Sequence, residues 1–331
     1  MSIVTLQLGQ CGNQIGFEFF DLLSKTLVKP DSTPFNRQGE AHSQEVCERF
    51  FNIGKESEPF ARAVMVDMEQ KVIAHTFQEA RKSTTWRYRK DQKVTGKKGS
   101  GNNWAQGYCC HGPQSITDIL EKVSNEAERC DTLGGFLCLM SLAGGTGSGL
   151  GAFVTAALRD EYPHCPIINQ VVWPYPTGEV IVQNYNAVLT LSHLCSSSDG
   201  IIIMENEQIQ TICSQLLKIK NVSFKDINKV VATKLAGILL PAQTSTGCSK
   251  FLLVDILANV CSHPGYKLLN ISNIPVVPKT SLAYTSYNWK MLVKHCRQML
   301  IANANMEEGG YKIILRLTFD LNSLLYRGDL I

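Results

Sequence analysis

A glycine-rich segment, SLAGGTGSGLG at residues 141–151, restricts the fold of this chain more than any other feature. It follows an apolar run at 136–140 that predicts a buried strand, and it precedes a helix-forming stretch at 152–158. A glycine-rich turn between strand and helix lets backbone N–H groups surround an anion at the helix N-terminus. Thr146 and Ser148 add hydroxyl donors. The segment therefore predicts a phosphate-binding loop, the alternative being a turn built only for packing.

A second turn of this kind lies near the N-terminus. Residues 3–8 predict a strand, and the sequence GQCGNQIG follows at residues 9–16. Apolar residues then recur at helical spacing, at Ile15, Phe19, Leu22 and Leu23, so this turn also opens a helix. Two strand–helix junctions at one sheet edge predict a single site for a phosphorylated ligand, because open α/β sheets bind nucleotides at that edge.

Strand and helix patterns alternate as far as about residue 215. The strands are predicted at residues 3–8, 61–66, 136–140, 167–172 and 200–204. Nearly continuous apolar strands that alternate with helices favour an α/β fold with a parallel sheet covered on both faces.

Two polar insertions interrupt this alternation. Residues 28–58 predict a loop with a short helix around 46–51. Residues 81–98 are basic, with Trp86 and Tyr88 interleaved, a mixture that can bind single-stranded nucleic acid by charge and stacking. A solvated loop beside a phosphate site is the favoured interpretation, because runs of charge are most often merely solvated.

Composition excludes several classes of protein. The chain has 331 residues, a formal net charge of +3 and 44% hydrophobic residues, which predicts neither a nucleic-acid partner nor a membrane partner. No apolar run is long enough to span a bilayer, and no secretory signal is recognised at the start. The twelve cysteines are scattered without a C-x-x-C pair, which favours free thiols in a reducing compartment, with the cytoplasm as the expected location.

The two glycine loops resemble the signature loops of the tubulin family. VDME at 66–69, GNNWA at 101–105 and ENE at 205–207 resemble three further tubulin segments, in the family's order and at about its spacing. The resemblance runs from residue 1 to roughly residue 310. Among tubulins, residues 173–186 and 298–309 are most similar to the delta class, with epsilon as the nearest competitor.

The resemblance implies a parallel-sheet nucleotide-binding domain that binds GTP or GDP. Glu179 stands where tubulins commonly have a ribose-binding Asp, and Phe224 where they often have a base-stacking Tyr. Asn206 and Asn228 match the asparagines that read the guanine edge. The full set of implied nucleotide contacts is Gln10, Cys11, Gln14, Asp67, Glu69, Gly101, Asn102, Ser141, Gly144, Gly145, Thr146, Gly147, Glu179, Asn206, Phe224 and Asn228.

Asp67 and Glu69 match the acidic pair near the phosphates and their Mg²⁺, which they would bind through water. A hard cation that bridges phosphates and retains waters needs one or two carboxylates nearby, which fits this pair. The alternative for Asp67 is a turn carboxylate at a strand end.

No general base is recognised in the phosphate loops themselves. In tubulins an acidic residue of the next subunit reaches the neighbour's nucleotide, and counting back from residues 262–264 places Asp255 in that role in trans. The surrounding family pattern is eroded here, and a solvent-facing helix carboxylate is the alternative for Asp255.

The resemblance also implies a division into domains. Residues 1–222 are predicted to form the GTP-binding domain, and residues 223–241 the core helix. Residues 242–331 are predicted to form an incomplete α+β intermediate domain, without the C-terminal helical domain in which tubulins continue. Helices are expected around 251–260 and 289–301, and strands at 311–319 and 323–326.

The leading functional hypothesis is a GTP-binding structural protein of centrioles and basal bodies that takes part in cilium assembly. Its expected partners are other tubulins, with epsilon-tubulin or alpha/beta-tubulin as candidates, and centriolar proteins. Its expected locations are the cytoplasm, cytoskeleton, centrosome and cilium base, with the nucleus as a further one. A stand-alone GTPase, a non-polymerising GTP-binding regulator and a bacterial-type cytokinetic GTPase are the alternatives, and the GQCGNQIG loop argues against the last.

Overall fold

The computed structural model describes most of the chain up to residue 240 and parts of the remainder. The described residues are 1–27, 37–53, 58–83, 85–178, 180–240, 243–244, 247–248, 253–274, 276, 278, 288–306 and 314–319.

Strands and helices alternate through this part of the chain. The strands are β1 Ser2–Leu8, β2 Phe51–Ile53, β3 Pro59–Ala61, β4 Ala63–Asp67, β5 Lys93–Thr95, β6 Leu133–Ser141, β7 Ile167–Trp173, β8 Gly200–Glu205, β9 Gln243–Thr244, β10 Gly247–Cys248, β11 Leu268–Ile274 and β12 Ile314–Phe319. The α-helices are α1 Gly9–Leu27, α2 Arg37–Phe50, α3 Gln70–Lys82, α4 Gly112–Ala127, α5 Gly151–Glu161, α6 Gln183–Ser197, α7 Asn206–Thr211, α8 Phe224–Leu239, α9 Leu253–Val260 and α10 Trp289–Met306. Three π-helical segments, Gln106–His111, Thr146–Leu150 and Ile212–Leu216, adjoin α4, α5 and α7.

Eight of the described strands form one sheet in the order β12-β11-β8-β7-β6-β1-β4-β5, and every pairing in it is parallel. The predicted α/β fold with a parallel sheet is therefore confirmed. The chain adds strands to one side of β1 as far as β5, then crosses back to place β6 on the other side. This reversal leaves a crevice at the carboxyl ends of the central strands, where open α/β sheets bind ligands.

The sheet is buried on both faces, as its apolar strands require. One apolar cluster joins α1, α2 and α8 to one face of the sheet and includes Phe19, Leu139 and Leu235. The other joins α4 and α5 to the opposite face and includes Val66 and Phe136. The β1, β6 and β7 side chains are almost wholly buried, so the carboxyl ends of these strands are held rigidly.

The predicted strand over 61–66 is divided between two sheets. β3 pairs antiparallel with β2, whereas β4 pairs parallel with β1. Arg62 lies between them: its backbone N–H donates to the Phe50 carbonyl at 2.9 Å, and its own carbonyl accepts from Thr5 N–H at 2.9 Å. The chain thus changes sheet within a single residue, which an apolar pattern alone does not reveal.

In the basic insertion most of the charged side chains are exposed to solvent, as expected, but the segment is not simply a loop. Trp86 and Tyr88 are buried, with ring centroids 4.8 Å apart in an edge-to-face pair, and the Gln7 amide donates to the Tyr88 hydroxyl at 3.0 Å. Residues 93–95 form the edge strand β5 beside β4. The two rings belong to the core, so they are not accessible for stacking on nucleic-acid bases.

Later elements also differ in part from expectation. The helix predicted near 46–51 is the longer α2, and the helices predicted near 251–260 and 289–301 are α9 and α10. β11, in a region predicted to belong to a second domain, extends the main sheet by pairing with β8. The strand predicted at 323–326 lies outside the described residues. Among the described helices, none is both long and apolar enough to cross a membrane.

Candidate nucleotide-binding site

A cavity of about 360 Å³ opens at the carboxyl ends of β1, β4, β6, β7 and β8. We call it the central cavity. All the predicted nucleotide contacts except Glu179 line it, and Glu179 lies outside the described residues. The remaining lining residues were not predicted: Val72, Ser100, Ala143, Val172 and Pro174.

Three loops and two helices enclose the cavity. The loops are the N-terminal glycine loop (residues 9–16), which the structure shows as the first turns of α1, the Asn loop (residues 100–103) and the central glycine loop (residues 141–151), whose second half is the π-helical segment that leads into α5. Together they form the loop wall. Asn206 on α7 and Phe224 and Asn228 on α8 form the helix wall.

The N-terminal glycine loop lies directly against the central one. Gly9 has a φ of +72°, which favours glycine, and a Cβ built on it would lie 2.8 Å from the Gly147 nitrogen. A Cβ on Gly12 would overlap the Leu139 carbonyl oxygen on β6. Both glycines are therefore required for α1 to start close to the sheet, and Gln10, Cys11 and Gln14 then face the cavity.

The central glycine loop is packed against the Asn loop rather than held open. A Cβ on Gly145 would lie 2.6 Å from Ser100 Cβ and 2.7 Å from the Asn103 carbonyl oxygen. The Ser100 and Thr146 hydroxyls are 2.9 Å apart and share a hydrogen bond. Gly145 thus allows two loops to meet, whereas a Cβ on Gly144 would make only ordinary contacts, at 3.7 Å or more.

Ser148 does not supply the free hydroxyl that the sequence predicts. Its side chain is buried and donates a hydrogen bond to the Gly144 carbonyl within the same loop. The hydroxyl therefore stabilises the loop and is already occupied, while Thr146 and Ser141 remain on the cavity surface.

The acidic pair, Asp67 and Glu69, contains one buried carboxylate that can accept a further ligand. Asp67 is 3% exposed, and its Oδ1 accepts a hydrogen bond from the Glu69 backbone N–H at 3.1 Å. Its Oδ2 has no hydrogen-bond partner among the described residues, and burial raises the pKa of this carboxyl to about 6. A divalent cation would satisfy that oxygen and offset the cost of burying the charge.

The Cys11 thiol contributes a neutral group to the cavity. Burial raises its pKa to about 12, so the thiol stays protonated at neutral pH. A thiolate is the nucleophilic form of cysteine, so Cys11 is suited to contact a ligand rather than to attack it.

The helix wall is more open than the loop wall. The Phe224 side chain is 66% exposed, whereas Asn228, one turn further along α8, is 8% exposed. A capping box fixes the start of α8: Asp226 N–H donates to Ser223 Oγ at 3.3 Å, and Ser223 N–H donates to Asp226 Oδ2 at 3.2 Å. The capping box fixes the backbone at the start of α8, which places Phe224 beside the cavity.

Asp255 lies far from the central cavity. It is on α9, half-buried, and α9 packs near the amino ends of the strands: a Cβ on Gly200, at the start of β8, would lie 2.8 Å from Leu257 Cδ2. Because the cavity is at the carboxyl ends of the strands, Asp255 and the cavity lie at opposite ends of the strands.

The lining residues that were not predicted fall into two groups. Ser100 lies in the Asn loop and Ala143 in the central glycine loop, so their positions beside predicted contacts were a usable signal. Val72, Val172 and Pro174 are apolar, and a sequence rich in apolar core residues gives no signal that sets them apart.

Comparisons with known proteins agree with this geometry. The model of the Tubulin/FtsZ family, GTPase domain, matches residues 2–214. The tubulin delta chains of Canis lupus familiaris and Homo sapiens are each 49% identical over 312 residues, which cover 93% of this chain and 69% of theirs. The tubulin beta chain of Porphyra purpurea is 31% identical over 319 residues, which cover 93% of this chain and 67% of that protein.

Guanine nucleotide, as GTP or GDP, is the ligand class of this GTPase domain. The parallel sheet, the converging glycine loops and the similarity to delta and beta chains point to one family, whose members are cytoskeletal proteins. This chain belongs to the tubulin family.

Proposed function

We propose that this chain is a delta-type tubulin that binds GTP and GDP with Mg²⁺ in the central cavity and acts in centrioles, basal bodies and cilium assembly. One observation carries the proposal: the segments that follow five strand ends, together with α8, bring phosphate-binding, acidic and amide groups to one cavity. In this proposal residues 1–222 form the GTP-binding domain, 223–241 the core helix and 242–331 part of the intermediate domain.

The loop wall binds the phosphates. Glycines in two loops allow backbone N–H groups to approach an anion closely, and two helices, α1 and the segment leading into α5, begin at these loops. Asp67 and Glu69 hold Mg²⁺ through water; the spare Oδ2 of Asp67 supports this assignment. Glu179 binds the ribose, an assignment that rests on its place in the sequence.

The helix wall binds the base. Asn206 and Asn228 carry amides that can both donate to and accept from the guanine edge, and Phe224 offers a ring face for stacking. Removal of an amide that pairs with a buried base edge costs roughly 1–3 kcal/mol.

Hydrolysis needs a second subunit. Phosphoryl transfer requires a group that orients the attacking water. The candidate, Asp255, lies at the opposite ends of the strands from the cavity, so it reaches a nucleotide only in a neighbouring copy or another tubulin. Other tubulins are the partners of this family; epsilon-tubulin, alpha/beta-tubulin and centriolar proteins are the specific partners we propose, in the cytoplasm and at the centrosome and cilium base.

Nucleotide competition tests the ligand. A fluorescent GDP analogue bound to the purified chain is displaced with GTP and with ATP. GTP should displace the analogue at a concentration at least about tenfold lower than ATP does. The reason is that adenine would lose at least one hydrogen bond to the base-binding amides, which lowers affinity by about tenfold. Equal potency of the two nucleotides would overturn the proposal.

The dependence of turnover on concentration tests the role of Asp255. GTP turnover per molecule should rise with the concentration of the chain or of an added tubulin partner, and Asp255→Ala should remove that rise without a change in GDP affinity. Asp160→Ala, at an exposed carboxylate on α5, is the control. Turnover by a verified monomer that does not change with concentration would show that the base acts in cis.

A further inference from the structure

One buried amide connects two of the loops that enclose the central cavity. Asn186 lies on α6 and is 3% exposed. Its Nδ2 donates to the Asn102 carbonyl at 2.8 Å and to the Ala143 carbonyl at 2.8 Å, and its Oδ1 accepts from the Trp104 backbone N–H at 3.2 Å. Both donors and the acceptor of the amide are therefore used, and all three partners are backbone groups.

The two carbonyls belong to different parts of the loop wall. Asn102 is in the Asn loop, and Ala143 is in the central glycine loop; both residues line the cavity. Asn186 itself does not line it. Its side chain thus fixes the distance between two cavity loops from behind.

The Asn loop has a conformation that needs such support. Gly101 and Asn102 have φ angles of +56° and +54°, which is the left-handed region. Asparagine adopts this region more readily than other residues with a Cβ, but it is still less favourable than the common regions, so the surroundings help to fix it. The bond from Asn186 to the Asn102 carbonyl acts directly on this strained residue, and the bond to Trp104 N–H holds the chain that follows it.

We propose that Asn186 is a positioning residue for nucleotide binding, which clamps the Asn loop to the central glycine loop so that both face the phosphate groups. This inference rests on the proposed function of the cavity. The role suits asparagine because a short planar amide offers two donors and one acceptor, whereas aspartate would place a carboxylate oxygen against two carbonyl oxygens.

The test compares Asn186→Leu with Thr190→Val. Leucine keeps the number and branching of the side-chain heavy atoms of asparagine, although it is larger, and it removes every hydrogen bond. Thr190 is fully buried one turn later on α6, and its hydroxyl donates to the Asn186 carbonyl within the helix, so its loss affects helix stability without touching either loop. Affinities are measured for guanosine, GMP, GDP and GTP by displacement of a fluorescent GDP analogue.

Asn186→Leu should weaken GDP and GTP binding by about tenfold or more and guanosine binding by less than about threefold. Thr190→Val should leave all four affinities within about twofold of the wild type. Hydrogen exchange without nucleotide should speed up in residues 100–104 and 143–147 of Asn186→Leu alone. Asn186→Ser, which retains one hydroxyl, should give an intermediate loss and serves as the variant if the leucine variant does not fold.

The inference would be overturned if Asn186→Leu weakened guanosine and GDP binding equally, or if Thr190→Val weakened GDP binding as much as Asn186→Leu does. Either result would mean that Asn186 only stabilises the fold. Unchanged GDP affinity in a folded Asn186 variant would also overturn the inference. Failure of the wild-type chain to bind any guanine nucleotide would instead overturn the proposed function, and this inference with it.

Discussion

The loop wall and the helix wall of the central cavity are built on different principles. In the loop wall glycine backbone forms part of the surface, and glycines such as Gly145 have no space for even one added carbon. In the helix wall side chains form the surface, and the most exposed, Phe224, has two thirds of its area in solvent. Changes in the loop wall should therefore disrupt the loops, whereas changes in the helix wall should alter affinity and leave the fold intact.

The largest effect is expected in the loop wall. Gly145→Val should reduce GDP binding by about 100-fold or more, because its Cβ would overlap Ser100 and the Asn103 backbone and force the loops apart, at a cost of about 3 kcal/mol or more. Displacement titration measures the affinity, and circular dichroism measures the fold.

Two controls accompany this variant. Gly144→Ala should not reduce thermal stability, since its Cβ meets only ordinary contacts. Lys97→Ala, at an exposed position in the basic segment, should change GDP affinity by less than about twofold. If Lys97→Ala did more damage than Gly145→Val, the basic segment would have to be part of the site.

The second prediction concerns α8, the helix that carries the exposed Phe224 and the buried Asn228 of the helix wall. Lys234 is 4% exposed, its Nζ donates to the Ile271 carbonyl at 2.9 Å, and burial lowers its pKa to about 8. Below pH 8 the ammonium is charged in both folded and unfolded chains. Between about pH 8 and its ordinary value of 10.5, the folded chain releases the proton first, so this group makes stability rise with pH, by at most about 3 kcal/mol.

Chemical denaturation at pH 7 to 10 measures this effect as the difference in the free energy of unfolding between a variant and the wild type. Lys234→Met should be more stable relative to the wild type at pH 7 than at pH 10, because the variant lacks the charge whose burial is costly. Lys229→Met, on an exposed position of the same helix, should show a difference that does not change over this range. A constant difference for Lys234→Met would show that its ammonium is not desolvated.

The third prediction tests the helix wall by affinity alone. Asn206→Ala should weaken GTP binding by about tenfold, since an amide that pairs with the base edge is worth roughly 1–3 kcal/mol, and should leave thermal stability without ligand unchanged. Gln210→Ala, at an exposed amide on the same short helix, is the control. A fall in stability as large as that of Gly145→Val would remove the distinction between the two walls.

The smallest effect is expected at Phe224. Phe224→Tyr should change GTP affinity by less than about threefold, because the added hydroxyl leaves the stacking face unchanged and reaches solvent from a side chain that is 66% exposed. The same displacement titration measures it. A tenfold loss would mean that the ring edge, rather than its face, meets the ligand.

Sequence patterns predicted those parts of the molecule that depend on local chemistry. The five main strands and the two glycine loops followed from apolar runs and from the role of glycine, whereas the polar residues that converge on the cavity were predicted from the resemblance to tubulins. The burial of Trp86 and Tyr88 did not follow, because the charges around them dominate the local pattern while their partners, such as Gln7, are far away in sequence. The same holds for Asn186: its partners lie more than 40 residues away, and asparagine alone carries no sign of them.

The position of β1 has a consequence for how the molecule folds during synthesis. β1, which precedes the other described strands along the chain, lies inside the sheet between β4 and β6, and its pairing with β6 reaches as far as Leu139. The edge of β1 that pairs with β4 can be covered once Val66 has been made, but the edge that pairs with β6 stays open until Leu139 has left the ribosome. Parallel pairing over such distances is slow, and exposed strand edges promote aggregation. Because the central cavity needs the carboxyl ends of both strands, a nascent chain can gain stability from nucleotide only after this late closure, and we expect it to depend on chaperones until then.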